Sequence, residues 1–295
     1  MKLKFAALIA YLILLISKFF SLSGSRSISA YVRDNLDLNS YQKLKFDKHQ
    51  LKFFIPSSIS EWRVSTMFEK EPDTIEWINN FKKDYKNKSK DIIFWDIGSN
   101  IGLFSLYAAK IHKNCKVYSF EPSTSNLRIL SRNIDINDLS ERIKILTLPL
   151  GNKNNKFLNF HETHFQEGAA LNSYGVNFNY EGKKFSPKIS YQIMGTTIDY
   201  LVENKIVEKP DFIKIDVDGT EHMILEGAKN TLKENRIKSI LIEVNKKFQS
   251  QHLAILKTMK NNNFKITLNE KSINFSDNHN FDYTNNYIFN KKKND

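Results

Sequence analysis

From residue 91 onward the chain alternates short apolar runs with longer stretches whose apolar residues recur every three or four positions. Residues 92–95, 116–120 and 143–148 have the length and boundaries of buried strands. Residues 101–111 and 124–137 carry helical spacing, the second with Leu127, Leu130 and Ile134 on one face. The rhythm breaks at 152–195 and then resumes. A strand is predicted over 211–216, a helix over 221–235, a strand over 239–244, a helix over 248–262, and strands over 264–268 and 286–289. Strand–helix–strand alternation of this kind predicts a parallel, doubly wound α/β sheet over residues 91–290. The break at 152–195 is polar and aromatic, with His161, His164, Phe165, Asn172, Phe178, Tyr180 and Tyr191. It reads as an insertion of strands and loops over the sheet's edge or mouth, where substrate loops commonly sit.

Two segments precede the alternation. Residues 26–90 form a polar, helix-leaning lead-in; Glu71-Pro72-Asp73 opens a stretch of helical spacing, with proline and acids where a helix starts. In residues 1–25, an uncharged apolar run from Phe5 to Ile16 follows Lys2 and Lys4. It reads as a spanning anchor if Lys4 and Lys18 snorkel, as the core of a signal peptide, or as an interfacial helix. Attachment to a membrane is the expectation, with the catalytic domain in the cytoplasm; a soluble protein after signal-peptide removal is the alternative.

The net charge of +12, from 44 Lys and Arg against 32 Asp and Glu, raises the question of an anionic partner. The lysines are scattered and interleaved with asparagines, as over 82–90 and 291–294, which is the pattern of a solvated surface. No arginine-rich stripe with interleaved aromatics is present, so nucleic acid is not expected as a partner. Cys115 is the sole cysteine, which leaves no intramolecular disulfide.

Chemistry concentrates at Asp96-Ile97-Gly98-Ser99-Asn100-Ile101-Gly102, between a predicted strand and a predicted helix. Strand ends of an open α/β sheet form the crevice where ligands bind. Glycines 98 and 102 allow a tight turn and close approach of the backbone, and Asp96 can accept hydrogen bonds from an ammonium or hydroxyl. A dinucleotide fingerprint needs two further glycines where Asn100 and Leu103 stand, so the pyrophosphate cradle of a nicotinamide oxidoreductase is missing. S-adenosyl-L-methionine, which has no phosphates, fits this turn instead. Glu121, about twenty residues on at the end of the second strand, suits the two hydroxyls of a ribose. Leu150-Gly151 reads as a wall for the adenine or equally as an ordinary turn.

These blocks resemble the FkbM-type class I methyltransferases. The likeness lies in Phe94 through Gly102, in Phe120-Glu121-Pro122, in Pro210-Asp211-Phe212-Ile213-Lys214-Ile215-Asp216-Val217-Asp218-Gly219-Thr220-Glu221 with Leu225-Glu226-Gly227-Ala228, and in Ile240-Leu241-Ile242-Glu243-Val244-Asn245. Ser99 stands where alanine is common. The resemblance implies a Rossmann-like fold with a seven-stranded, mostly parallel sheet, the last strand antiparallel, and helices on both faces. It also implies methyl transfer to an oxygen, often on a sugar or a secondary metabolite.

Asp216, at the end of the fourth strand beside the transferred methyl group, is the first candidate for base or acceptor clamp. Asp218 and Glu221 flank Gly219 and either orient the acceptor or cap the next helix. Glu243, Asn245 and His164 are candidate acceptor contacts, with His161 beside them; His222 reads as a surface residue. Asp216, Asp218 and Glu221 also have the oxygen donors that magnesium or calcium takes, but no metal is assigned. The expectation is an O-methyltransferase acting on a saccharide or other small-molecule acceptor; a non-catalytic module of the same fold is the alternative. No oligomeric state follows from the sequence.

Overall fold

The computed structural model describes residues 40–85, 90–184, 186–271 and 283–292, together with helical positions between 8 and 19. The chain divides into two compact units, Met1–Gln42 and Lys43–Asp295. In the first, Leu8, Ile9, Tyr11, Leu12, Leu15, Ile16 and Phe19 are helical and exposed. Among the described residues no helix is long and apolar enough to cross a membrane. Much of the apolar segment expected at 5–22 lies outside the described residues.

The lead-in differs from its helix-leaning expectation at its start. Strands β1 (Tyr41–Phe46) and β2 (His49–Phe54) pair as a hairpin. Helices α1 (Ser58–Ser65), α2 (Met67–Lys70) and α3 (Pro72–Asn79) follow. Ser57 caps α1 in a capping box with Ser60, which satisfies helix-end N–H groups. Pro72 opens α3 as expected.

Next come β3 (Ile92–Ile97), α4 (Leu103–Ile111), β4 (Cys115–Phe120), α5 (Thr124–Asp135) and β5 (Ile143–Leu146). The insertion contains β6 (Lys156–Glu162), β7 (Ser173–Tyr174) and β8 (Ile189–Gly195), which form a separate antiparallel sheet ordered β7-β6-β8. The remainder is α6 (Ile198–Glu203), β9 (Phe212–Ile215), α7 (Glu221–Glu226), β10 (Ser239–Asn245), α8 (Gln249–Asn261), β11 (Phe264–Lys271) and β12 (Thr284–Lys291).

The main sheet has seven strands in the order β11-β12-β10-β9-β3-β4-β5. Pairs β10–β9, β9–β3, β3–β4 and β4–β5 are parallel; β12 runs antiparallel between β10 and β11. β3 is buried at every position, as a parallel strand covered on both faces must be. On one face Ile93, Trp95, Ile97, Ile213 and Ile215 pack with Ile198, Leu201, Ile224 and Ile255 of α6, α7 and α8. On the other, Phe94 and Phe212 meet Trp77 of α3 and Phe81, the Phe81 and Phe212 rings stacking with centroids 3.9 Å apart. The lead-in therefore covers one face of the main sheet. Asn133 on α5 and Asn137 just after it fasten the hairpin, accepting the Phe54 and Lys52 N–H at 2.7 and 2.9 Å.

Two element predictions differ from the structure. The helix expected over 221–235 stops at Glu226, because a Cβ at Gly227 would lie 2.1 Å from the Gly151 carbonyl oxygen. Chain contact of that closeness requires glycine, and glycine ends the helix. Helix α6, capped by Thr197, falls in a stretch to which the apolar pattern assigned no element.

Candidate active site

The strand ends of β3, β4 and β9 open into a cavity of about 120 Å³. One end of it is built by the loop after β3. Gly98 adopts φ +85°, and a Cβ there would sit 1.8 Å from the Asp216 carbonyl oxygen. Gly102, at φ +88°, begins α4 with Leu106 and Leu130 pressed against it. Gly98 thus lets the loop lie against the end of β9, and Gly102 takes the left-handed conformation from which α4 starts. Asn100 is left-handed as well, at φ +51°. Its N–H donates to Glu121 Oε2 at 2.8 Å and its Nδ2 to the Ala169 carbonyl at 2.8 Å, while its buried Oδ1 has no partner.

Glu121 lines the cavity while being 4% exposed. Its other oxygen accepts the Ser123 N–H at 2.8 Å and the Asn126 side chain also donates to the carboxylate, which leaves it acceptor capacity for one further donor. Burial pushes its carboxyl up to about 8, against the pull of those backbone bonds. Leu148, Pro149 and Leu150 form an apolar wall at this end. Gly98, Asn100, Glu121 and Leu150 all line the cavity, whereas Gly102 acts through the backbone.

Asp96 stands elsewhere than expected. It is 1% exposed and not among the lining residues. Its Oδ2 accepts the Ser105 hydroxyl at 2.6 Å, and its Oδ1 has no partner. It shares a cross-strand row with Ser119 and Lys214, which places it behind the loop as a foundation.

The opposite end of the cavity is acidic. Lys214, 2% exposed on β9, donates to Asp216 Oδ2 at 2.5 Å and lies over the Phe104 ring. Burial works against charge on Asp216, but Lys214, Lys70 and Arg63 outweigh it and hold the carboxyl below its usual range. Asp218, at φ +60°, anchors its Oδ2 on the Leu171 N–H at 2.7 Å. Burial and the neighbouring Asp216 push Asp218 up to about 6. Glu243, near the end of β10, stands behind the two aspartates rather than in the cavity lining, and burial and both aspartates push its carboxyl well up. Asp216, Asp218 and Glu243 bring carboxylate oxygens within 4.8 Å of one another. That is the donor set a divalent cation takes, with Glu243 in the place the sequence reading gave to Glu221.

Glu221 is corrected for a physical reason. It is 1% exposed, and its oxygens are taken by the N–H groups of Val217 and Gly219 and by Gln251 Nε2. It shapes the turn that presents Asp218, and burial pushes it up to about 7. Asn245 likewise faces away, donating to the Tyr180 carbonyl and accepting the Lys247 N–H. His164 is exposed beside Lys188 and does not line the cavity.

The sequence reading missed the wall contributed by the lead-in, Arg63, Met67, Lys70 and Glu71. It also left Lys214 unplaced. A charge inside the apolar run Phe212-Ile213-Lys214-Ile215 is the signal, since a lysine buried in a parallel strand needs a partner.

The Methyltransferase FkbM domain matches residues 96–266. The chain belongs to the FkbM methyltransferase family. It is similar to the hexuronic acid methyltransferase AglP of Haloferax volcanii, at 25% identity over 199 residues, 65% of this chain and 70% of that one. It is also similar to the methyltransferase sdnD of Sordaria araneosa, at 26% identity over 49% of this chain and 63% of that one. Among solved structures, a methyltransferase FkbM from Methylobacillus flagellatus aligns with a TM-score of 0.45 and 16% identity, over 90% of this chain and 59% of that one. Family membership makes this protein a methyltransferase and displaces the nicotinamide reading. The matched domain begins at Asp96, so the wall from the lead-in lies outside it.

Proposed function

We propose that this methyltransferase uses S-adenosylmethionine to methylate a sugar hydroxyl on a glycan or glycolipid, with Asp218 as the base. The observation that carries the reading is the pairing of Glu121, buried with acceptor capacity left at one end of the cavity, with a cluster of acids at the other. The residues suit the cofactor. Glu121 would hold the ribose hydroxyls, Leu148 to Leu150 would pack on the adenine, and the acids would favour a positively charged sulfur. Bound there, S-adenosylmethionine supplies a methyl group on a sulfonium whose departure needs no acid.

What the protein adds is position and a place for the acceptor's proton. Asp216 was the first candidate for base, but its ion pair with Lys214 holds it ionised and weakly basic. Asp218 is the better base: one oxygen is anchored on the loop, and its pKa of about 6 lies near neutrality. A sugar as acceptor is supported by the Haloferax volcanii relative, which is named for a hexuronic acid. In this reading the N-terminal segment keeps the enzyme at a membrane, with the catalytic unit on the cytoplasmic side where the cofactor is. The exposed apolar side chains between Leu8 and Phe19 support it; topology mapping that put residue 150 outside the cytoplasm would contradict it.

The test is incubation with methyl-labelled S-adenosylmethionine and an extract of the source's polysaccharides and lipids, followed by identification of the labelled product. A labelled saccharide or glycolipid supports the proposal, and label confined to protein or nucleic acid overturns it.

A further inference from the structure

We infer that Arg63 and Lys70, on the wall supplied by the lead-in, seat a carboxylate group of a ligand in the cavity. The inference rests on the proposed reading for its two candidate sources: the amino-acid end of the cofactor, or the acid group of a uronic-acid acceptor.

Both side chains line the cavity. Arg63 donates its Nε to the Gly168 carbonyl at 2.6 Å, which fixes the plane of the guanidinium. Its two terminal nitrogens have no hydrogen-bond partner among the described residues, and a guanidinium held in this way presents the fork that matches a carboxylate. Lys70 rests over the Trp62 ring, its ammonium 5.3 Å from the centroid, and makes no ion pair among the described residues. The third cation of the lining, Lys214, is already neutralised by Asp216. Of the acids beside them, Glu71 accepts the Thr74 hydroxyl at 3.0 Å rather than pairing with either cation. Two cations with unused donors therefore face the same space as the acids.

The competing account is that Arg63 and Lys70 only balance Asp216, Asp218 and Glu243 across the cavity, since their charges do favour ionisation of those groups. A ligand seat and a charge balance differ in what they recognise. A seat discriminates ligands that carry a carboxylate from ligands that lack one, whereas a balance alters the pH response and treats both alike.

The experiment measures binding, not turnover, on the full chain and on Lys70→Met, Arg63→Gln and Arg63→Lys. Calorimetry with S-adenosylhomocysteine is compared with 5′-methylthioadenosine, which keeps the nucleoside and sulfur and lacks the amino-acid end. In the presence of S-adenosylhomocysteine, a methyl glucuronoside is then compared with a methyl glucoside. Lys70→Met removes no hydrogen bond within the described residues, so it keeps the test valid if Arg63→Gln disturbs the loop at Gly168.

The expected result is a loss of about tenfold or more, the scale of a charge-assisted pair, confined to the carboxylate-bearing partner of one comparison, with Arg63→Lys intermediate. A loss for S-adenosylhomocysteine alone assigns the seat to the cofactor's amino-acid end. A loss for the glucuronoside alone assigns it to the acceptor. Equal losses for both partners of a comparison, or no loss in either, overturn the inference. Because no methyl transfer is required, an inactive preparation refutes the proposed function without deciding this one.

Discussion

At the scale of single residues the account rests on how burial divides the carboxylates. Glu121 in the fold titrates near 8 where an ordinary glutamate titrates near 4.5. Its ionised form is disfavoured by the fold, so it costs stability as pH rises from the lower value to the higher. Ribose hydroxyls donate to the ionised form and lower its pKa again. Binding of S-adenosylhomocysteine below pH 8 is therefore expected to release a proton, and affinity to climb with pH until about 8 and then level. Calorimetry in buffers of different ionisation enthalpy reads this directly; heats independent of buffer would refute it. Asp218 gives a second prediction. Asp218→Asn keeps an oxygen for the Leu171 N–H but loses the base, so turnover should fall by about 10²–10⁴ with cofactor affinity unchanged. The same variant relieves a buried charge beside Asp216 and should raise the melting temperature at neutral pH. Of these residues, Glu121, Asp216 and Asp218 were legible in the sequence from their places at strand ends. Which acid faces the cavity was not, because Glu221 and Asp218 lie only three positions apart on one turn, and Gln251 and Leu171, which help hold them apart, are distant in sequence.

At the scale of elements, periodicity located the strands and helices of the main sheet because each is a long apolar run or face. It failed where backbone meets backbone. Gly227 ends α7 on account of Gly151, a contact between residues distant in sequence. The β1–β2 hairpin is polar along much of its length and is held by asparagines at the end of α5 and just beyond it, a dependence no local pattern shows. Asn133 is the clearest case: fully buried, it accepts the Phe54 N–H and donates to the Ile101 carbonyl at 2.8 Å. Asn133→Ala removes both of these buried hydrogen bonds and should cost about 2–4 kcal/mol, read by chemical denaturation. A loss below about 0.5 kcal/mol would mean that the hairpin is not fastened there.

At the scale of the molecule, the lead-in belongs with the catalytic unit in its packing as well as in its cavity wall. Leu51, Phe53, Phe54, Ile78 and Phe81 are fully buried. A chain starting at residue 91 should consequently lose cooperative unfolding, whereas one starting at residue 40 should retain it; thermal melts of the two distinguish the cases. The sequence marked this segment only as polar and helix-leaning, since its burial depends on partners supplied by β3, β9 and α5. The central claim is methyl transfer to a sugar hydroxyl with Asp218 taking the proton. The most direct measurement transfers a ¹³C-labelled methyl group from S-adenosylmethionine to a saccharide acceptor and assigns the labelled carbon by nuclear magnetic resonance, for the natural chain and for Asp218→Asn. The account predicts a methyl ether on a sugar oxygen from the natural chain and almost none from the variant. A methyl ester formed equally well by both, which needs no base, would contradict it.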